Sequence, residues 1–219
     1  MSYITLVRHG QANTEARDED SYDRLSELGH RQARWLGEHL ARSGEHFPRL
    51  YSGTLRRHRE TAASIGLPNH TEPVIDPRFD EMEFFTLATL FEDQHGVPIP
   101  QDREDFTIHL PRLFKAWAAG EIDSPPESFE AFETRVRDGL AEIGAGDGRA
   151  MVVTSGGVIG MAMRITLGLD LDGFARVCLA VENTSLHRWL PLHGALALTQ
   201  FNALPHLEDP DRQFARTHL

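Results

Sequence analysis

The stretch that decides the fold lies near the start of the chain and is Tyr3-Ile4-Thr5-Leu6-Val7-Arg8-His9-Gly10. Its β-branched and apolar residues predict a short strand over residues 3–8, ended by Gly10. The arginine offers a rigid fork for phosphate oxygens, and the histidine can act as a nucleophile or proton shuttle near neutral pH. Taken alone, Arg8-His9-Gly10 fits an ordinary strand end as well as a phosphate site.

Helical and strand patterns alternate along the rest of the chain. Helices are predicted over residues 26–42, 54–65, 128–143 and 156–167, and strands over 48–52, 150–154, 176–181, 185–190 and 195–201. Ser26 and Ser128 are the expected N-caps of two of these helices. The alternation predicts an α/β protein, a three-layer α/β/α sandwich with a mostly parallel central sheet. Residues 205–219 are interpreted as a loose tail.

The segment 84–126 breaks this alternation. It mixes aromatic, proline and acidic residues and ends in Pro125-Pro126. We interpret residues 1–219 as one domain in which 84–126 is an inserted, partly helical cap, with a helical piece around 106–119. Its phenylalanines are expected to form the small core of the cap, and the alternative is that they face the apolar or ring-bearing part of a ligand. They are Phe84, Phe85, Phe91, Phe106 and Phe114.

Composition excludes several classes of protein. Lys+Arg number 22 against Asp+Glu 33, a net charge of −11, which argues against a nucleic-acid-binding surface. The single cysteine rules out an intrachain disulfide and a multi-cysteine zinc site. The twelve histidines show no metal-ligand spacing, so neither a metal nor a cofactor is expected. With no secretion signal or membrane-spanning run, we expect a soluble, cytoplasmic protein that binds no membrane.

Unusual residues stand at three predicted junctions between a strand and the loop that follows it. The first is Arg8-His9-Gly10, and the others are Ser52-Gly53-Thr54-Leu55-Arg56-Arg57 and Thr154-Ser155-Gly156-Gly157. Ligands of open α/β sheets bind outside the carboxyl ends of the strands, so these junctions are expected to meet in one cleft.

The order of these segments carries a family resemblance. Between and after them come Leu25–Ala33, Glu60-Thr61-Ala62, Phe79-Asp80-Glu81 and Glu182-Asn183-Thr184-Ser185. The ordered set resembles the histidine phosphatase (phosphoglycerate-mutase-like) superfamily over most of the chain. The resemblance implies an α/β fold and phosphoryl chemistry that passes through a phosphorylated histidine.

The resemblance also implies roles for individual residues. His9 matches the nucleophile, Arg8 and Arg57 match two phosphate-binding arginines, and Glu81 matches the general acid. Glu83 is a rival for the last role, because both carboxylates can point the same way on an extended segment. Gln11 and Asn13 are candidates for contact with phosphate or substrate, whereas Arg56 and Arg59 are expected on the solvated face of their helix.

Ser155 departs from the family pattern, which usually has a second histidine at this position. Ser155 and Gly156 are then expected to hold the remaining phosphate oxygens, the glycine through its amide at a helix N-terminus. A neutral donor in place of a charged one costs about 1.5–3 kcal/mol, or ~10–100-fold in rate. His58 is expected to be exposed rather than in the pocket, and His187 to be a packed or surface residue.

We therefore expect a metal-independent phosphomonoester hydrolase that acts on a small phosphorylated metabolite or a phosphoprotein. The alternative is a module that binds a phosphate-bearing ligand or inorganic phosphate and has lost turnover through Ser155. A phosphoglycerate-type mutase is a weaker third option, because the acidic cap does not suit a multiply phosphorylated ligand.

Overall fold

The computed structural model describes residues 3–67, 72–100 and 102–218. Six strands occur in these ranges: β1 (Ile4–Arg8), β2 (Arg49–Ser52), β3 (Val74–Ile75), β4 (Ala150–Thr154), β5 (Leu186–Leu192) and β6 (Ala195–Ala203). They form one sheet in the order β3-β2-β4-β1-β5-β6. The first four of that order run parallel, and β5 and β6 are added antiparallel at one edge. The predicted mostly parallel sheet is confirmed.

The helices match most of the predicted ones. They are α1 (Glu19–Tyr22), α2 (Glu27–Ser43), α3 (Arg56–Ile65), α4 (Phe84–His95), α5 (Arg103–Ala118), α6 (Phe129–Ala145), α7 (Gly156–Leu167) and α8 (Leu171–Ala180). Short 3₁₀ turns cover Pro77–Phe79, Pro205–Leu207 and Pro210–Ala215. The hydroxyls of Ser26 and Ser128 accept hydrogen bonds from Gly29 and Ala131, so both predicted N-caps are present.

The sheet separates two apolar cores. Alternate side chains of a strand point to opposite faces, and accordingly Ile4 and Val152 enter one core while Val7 and Val153 enter the other. Helices α5 to α8 pack on the first face and α2 and α3 on the second. The three-layer α/β/α arrangement follows, as predicted.

Register brings three strand ends together. Arg8 of β1 pairs with Thr154 of β4, and Ser52 of β2 pairs with Val153. The residues that follow each strand therefore leave the sheet at the same edge.

Two predictions at the carboxyl-terminal part of the chain were wrong. Residues 176–181 are not a strand, because they lie mainly in α8, where Asp170 caps the first turn and Phe174 and Ala175 are buried. The β-propensity of Val177 and Leu179 was overridden by this cap and by packing on the core. The segment after 204 is not a loose tail either, since its Leu207 and Ala215 are buried against α2 residues.

The segment 84–126 contains two helices rather than one. Helix α4 was not predicted, and α5 begins a little before the expected helical piece. Phe114 of α5 stacks on Phe174 of α8 with ring centroids 4.5 Å apart. Phe91, Phe114 and Trp117 of this segment thus join the core of the sandwich instead of forming a separate one.

Candidate active site

A cavity of about 590 Å³ opens at the edge where β1, β2 and β4 end. Seven of the eight residues predicted for the site line it: Arg8, His9, Gln11, Asn13, Arg57, Glu81 and Gly156. Ser155 is absent from this wall. The volume of the cavity is typical of a site for a small molecule.

His9 lies at the bottom of the cavity and is almost wholly buried, with 2% of its surface exposed. Its Nδ1 is 2.7 Å from the carbonyl oxygen of Gly10. A carbonyl only accepts, so Nδ1 carries the proton and the lone pair of the neutral ring is on Nε2. Burial, Arg57 and Arg8 lower the pKa of His9 well below its usual value, which keeps that lone pair available.

The close fit of the first loop explains its glycine. A Cβ added at Gly10 would lie 2.5 Å from the carbonyl oxygen of Gly29 in α2. Only glycine therefore lets the backbone after His9 pass this close to the helix. The Gly10 amide donates to the hydroxyl of Thr61 at 3.0 Å, which ties the loop to α3 as well.

Arg8 and Arg57 present buried N–H groups that lack partners. Arg8 donates through Nη1 to the carbonyl oxygens of Val181 and His218, and Arg57 donates through Nη1 to Asp23. In each guanidinium, Nε is buried with no hydrogen-bond partner among the described residues. Both arginines line the cavity, where an anion could pair with their guanidinium charge.

Glu81 faces the same cavity, and its carboxylate is fixed by two backbone amides. Oε2 accepts from Gly157 at 2.9 Å and Oε1 accepts from Met82 at 3.1 Å. Burial raises the pKa of Glu81, although the Gly157 bond and Arg57 act in the opposite direction. Glu83 is exposed, accepts from Thr86 and lies off the cavity wall, so the geometry favours Glu81 over its rival.

Gln11 and Asn13 lie on the wall with their side chains partly committed to the protein. The Gln11 Oε1 atom accepts from the Ser26 hydroxyl at 2.8 Å, and Asn13 Nδ2 donates to the carbonyl oxygen of Ser21 at 2.9 Å. These bonds fix the shape of the loop that follows His9.

His58 is where the structure departs most from the sequence analysis. It is fully buried rather than exposed, and its Nε2 is 2.6 Å from the Ser155 hydroxyl oxygen. Its ring centroid lies 5.7 Å from that of His9. The buried face of α3 comprises Arg57, His58, Thr61, Ala62 and Ile65. That helical spacing was visible in the sequence and could have placed His58 inward.

The positions of Arg56, Arg59 and His187 agree with their predictions. Arg56 and Arg59 are exposed, and Arg56 pairs with Glu60 on the surface of α3. His187 is fully buried, and its Nε2 is bonded to the Ser185 hydroxyl at 2.8 Å.

Aromatic side chains form the outer wall of the cavity. Four of the five phenylalanines of the 84–126 segment line it, namely Phe84, Phe85, Phe106 and Phe114, whereas Phe91 is buried in the core. The expectation that they form only a core of their own was therefore wrong. Sequence analysis also missed Glu19 and Tyr22 of α1, which line the cavity too. Asp18 and Ser21 form a capping box in the structure, but serine is not the glutamate or glutamine of the usual sequence signature, so the sequence held no clear sign of this short helix.

Metal-binding clusters and membrane-spanning helices are both absent from the described residues. In them, no group of three or more histidine, cysteine or acidic side chains is arranged to hold a metal ion. None of their helices is both long and apolar enough to cross a lipid bilayer.

Comparison with known proteins agrees with this architecture. The model of the family described as "Histidine phosphatase superfamily (branch 1)" matches residues 4–203. A Hydrogenobacter thermophilus protein named "Putative phosphoserine phosphatase 2" is 28% identical over 183 residues, which are 78% of this chain and 82% of that protein.

Solved structures share the fold at lower identity. A phosphoserine phosphatase mutant from Entamoeba histolytica, in complex with phosphoserine, has a TM-score of 0.70 at 20% identity and covers 94% of this chain and 100% of its own. A mycobacterial glucosyl-3-phosphoglycerate phosphatase with VO3 has a TM-score of 0.64 at 23% identity, over 92% of this chain and 98% of its own.

Proposed function

This chain belongs to branch 1 of the histidine phosphatase superfamily, and on that premise we propose that it hydrolyses phosphate monoesters through a phosphohistidine on His9 without a metal. One observation carries the proposal. The unprotonated Nε2 of His9 and the guanidinium groups of Arg8 and Arg57 belong to residues that line one cavity. A nucleophile is thus combined with donors for a phosphoryl group.

The first step forms the phosphohistidine. Arg8, Arg57 and the amide of Gly156 at the N-terminus of α7 bind the phosphate oxygens, and His9 Nε2 attacks phosphorus in line with the ester oxygen. The P–O ester bond breaks, and Glu81, which is protonated at this stage, gives its proton to the leaving oxygen. The product alcohol departs, and the cavity holds phosphohistidine and a Glu81 carboxylate.

The second step restores the enzyme. A water molecule attacks phosphorus, Glu81 takes one of its protons, and the N–P bond breaks with its electron pair returning to Nε2. Inorganic phosphate is released, and His9 and Glu81 return to their starting protonation states. The raised pKa of Glu81 suits a group that gives and takes a proton in one cycle.

The direct contact of Ser155 with phosphate stays a prediction. Its hydroxyl is bonded to His58, and its side chain lies behind the cavity wall. Gly156 and Gly157 begin α7 and line the cavity, and because the Gly157 amide donates to Glu81, the Gly156 amide is the one left for an anion. We assign the anion-binding role at this end of the site to the helix N-terminus.

We propose that the leaving group is apolar or aromatic and carries no carboxylate. Beyond Arg8 and Arg57, the described charged side chains of the wall include the acids Glu19 and Asp102 but no other lysine or arginine. A carboxylate on the leaving group with no ammonium group beside it, as in 3-phosphoglycerate, would be repelled by Glu19 and Asp102. The phenylalanine side chains favour a flat or aliphatic group instead.

A panel of phosphate monoesters tests both proposals. We expect phosphate release from 1-naphthyl and 4-nitrophenyl phosphate in the presence of EDTA, at a higher kcat/KM than from phosphoserine or 3-phosphoglycerate. His9→Ala should abolish release, whereas His46→Ala, an exposed histidine, serves as the matched control. If no ester is hydrolysed although vanadate raises the melting temperature, the binding-module alternative replaces the proposed hydrolase. Faster turnover of the carboxylated esters would reject the proposed leaving group alone.

A further inference from the structure

His58 is a buried imidazole for which the proposed reaction has no use. Three groups surround it: the Ser155 hydroxyl at Nε2, the ring of His9, and Asp80, whose Oδ1 is 3.8 Å from Nδ1. Nδ1 itself is buried with no hydrogen-bond partner in the described structure. A Cβ at Gly53 would lie 2.3 Å from this nitrogen, so the glycine leaves room for the ring.

Ser155 occupies the N-cap position of α7 but does not cap it. Its backbone has the extended conformation of an N-cap, with φ −118° and ψ 171°, yet its side chain accepts no hydrogen bond from the helix. A serine in this position ordinarily accepts from an amide two or three residues into the helix. Here the hydroxyl points instead to His58.

The amide that Ser155 leaves free is used by the proposed general acid. Gly157, the second residue of α7, donates its N–H to Glu81 Oε2 at 2.9 Å. A Cβ at Gly157 would lie 2.2 Å from Glu81 Oε1, which shows how closely the carboxylate approaches this turn. The Ser155 hydroxyl and the Glu81 carboxylate are thus competing acceptors for the first-turn amides of one helix.

We propose that His58 is a positioning residue, which holds the Ser155 hydroxyl away from the first turn of α7 and so leaves the Gly157 amide to orient Glu81. This inference rests on the proposed function, because it assigns His58 a part in setting the proton donor of that reaction. It also gives the serine at position 155 a purpose other than binding phosphate. His58 is not among the described residues that line the substrate cavity, and it acts through Ser155.

The charged groups around Glu81 and His58 determine how replacement of His58 changes the pKa of Glu81. Glu81 is faced by Arg57 of α3, by Arg8 at the end of β1 and by the thiol of Cys178 in α8. His58 is faced by Arg57, Asp80 and His9, and burial together with Arg57 lowers its pKa well below the usual value. Because His58 is neutral, its removal changes no charge next to Glu81.

Without the imidazole, the Ser155 hydroxyl is free to accept from the first-turn amides. Glu81 then loses a donor that stabilises its carboxylate, and its pKa rises further. The proton is held to higher pH, so the alkaline fall in kcat, which follows loss of that proton, moves upward. If His58 served only stability, its replacement would lower the free energy of unfolding. Any shift of the alkaline limb of kcat would then be the same with serine or alanine at position 155.

The test is a double-mutant cycle of wild type, His58→Phe, Ser155→Ala and His58→Phe/Ser155→Ala. Phenylalanine keeps the ring but has no nitrogen to hold the hydroxyl, and alanine at 155 removes the competing acceptor. The Glu81 carboxyl is titrated by ¹³C NMR in each protein, with its signal assigned by its absence from Glu81→Gln. The pH dependence of kcat for 1-naphthyl phosphate is measured alongside.

We expect His58→Phe to raise the pKa of Glu81 and to move the alkaline limb upward, and the double variant to return both to the Ser155→Ala values. The inference is overturned if His58→Phe leaves the Glu81 titration unchanged, or if the double variant is displaced as far as the single one. If His58→Phe does not unfold cooperatively, His58→Leu takes its place in the same cycle. The NMR titration needs no turnover, so failure of the proposed hydrolase activity and failure of this inference are separate results.

Discussion

Replacement of Arg57 gives a demanding test of the proposed phosphate site, because its neighbour Arg56 provides a control on the same helix turn. Arg57 is 2% exposed, its Nη1 is shared with Asp23, and its Nε is buried without a partner in the described structure. Its guanidinium carbon lies 5.0 Å from the centre of the Tyr22 ring, which fixes the fork in place. The Arg56 side chain is exposed and forms an ion pair with Glu60 on the surface of α3.

The magnitude follows from the hydrogen bonds that the fork offers to a phosphoryl group. A hydrogen bond to a charged group contributes about 1.5–3 kcal/mol, so two of them contribute roughly 3–6 kcal/mol. Since each 1.4 kcal/mol is about tenfold in rate, Arg57→Ala should lower kcat/KM by about 10²–10⁴. Arg57→Lys keeps the charge but loses the fork, and it should fall between Arg57→Ala and wild type.

The assay is steady-state hydrolysis of 1-naphthyl phosphate, with vanadate affinity measured by calorimetry on the same proteins. Arg56→Ala removes an exposed pair that contributes about 0.3–0.5 kcal/mol and should stay within about threefold of wild type. Melting curves check that each variant is folded. If Arg57→Ala and Arg56→Ala behave alike in both assays, Arg57 does not bind the phosphoryl group and the proposed site is incorrect.

Three other predictions address the acid, the wall and the buried histidines. Glu81→Gln should lower kcat and abolish its fall at alkaline pH, because the group whose raised pKa produces that limb is gone; a limb that persists in the pH profile would assign it to another residue. Phe85→Ala should raise KM for 1-naphthyl phosphate about tenfold, since an apolar contact of roughly 1.5 kcal/mol is lost, and should leave the affinity for inorganic phosphate within about twofold. Burial lowers the pKa of His187 and of His206 to about 3, so their contribution to stability is complete above pH 6.5 and is lost as pH falls from there toward 3. The free energy of unfolding in urea should accordingly drop over that range, by on the order of 1 kcal/mol per pH unit for each histidine, and His206→Gln should reduce the slope.

The sheet and the cluster of strand ends were accessible from sequence because they depend on local patterns. The apolar runs before Arg8 and Ser155 define strands, and glycines after both runs mark turns at the ligand-binding edge. Parallel register then places the following residues side by side, with Arg8 opposite Thr154.

The features that sequence analysis missed depend on contacts between distant segments. His58 is buried because α3 turns its first residues toward Ser155, which lies 97 positions away. Residues 205–218 are held against α2 because Gln32 donates to the Ala215 carbonyl and the Thr217 hydroxyl. The apolar residues of 171–180 are compatible with a strand or a helix. Packing of Phe174 against Phe114 stabilises the helix.

The site at which phosphate is attached during turnover decides whether His9 is the nucleophile. The protein is mixed with 1-naphthyl phosphate, denatured within milliseconds in alkali, which preserves phosphohistidine, and digested for mass spectrometry. We predict one phosphate on the peptide that contains His9, attached to its imidazole, and none in a His9→Ala chain treated in the same way. Hydrolysis that proceeds with an unmodified His9, or that continues in His9→Ala, would contradict the account.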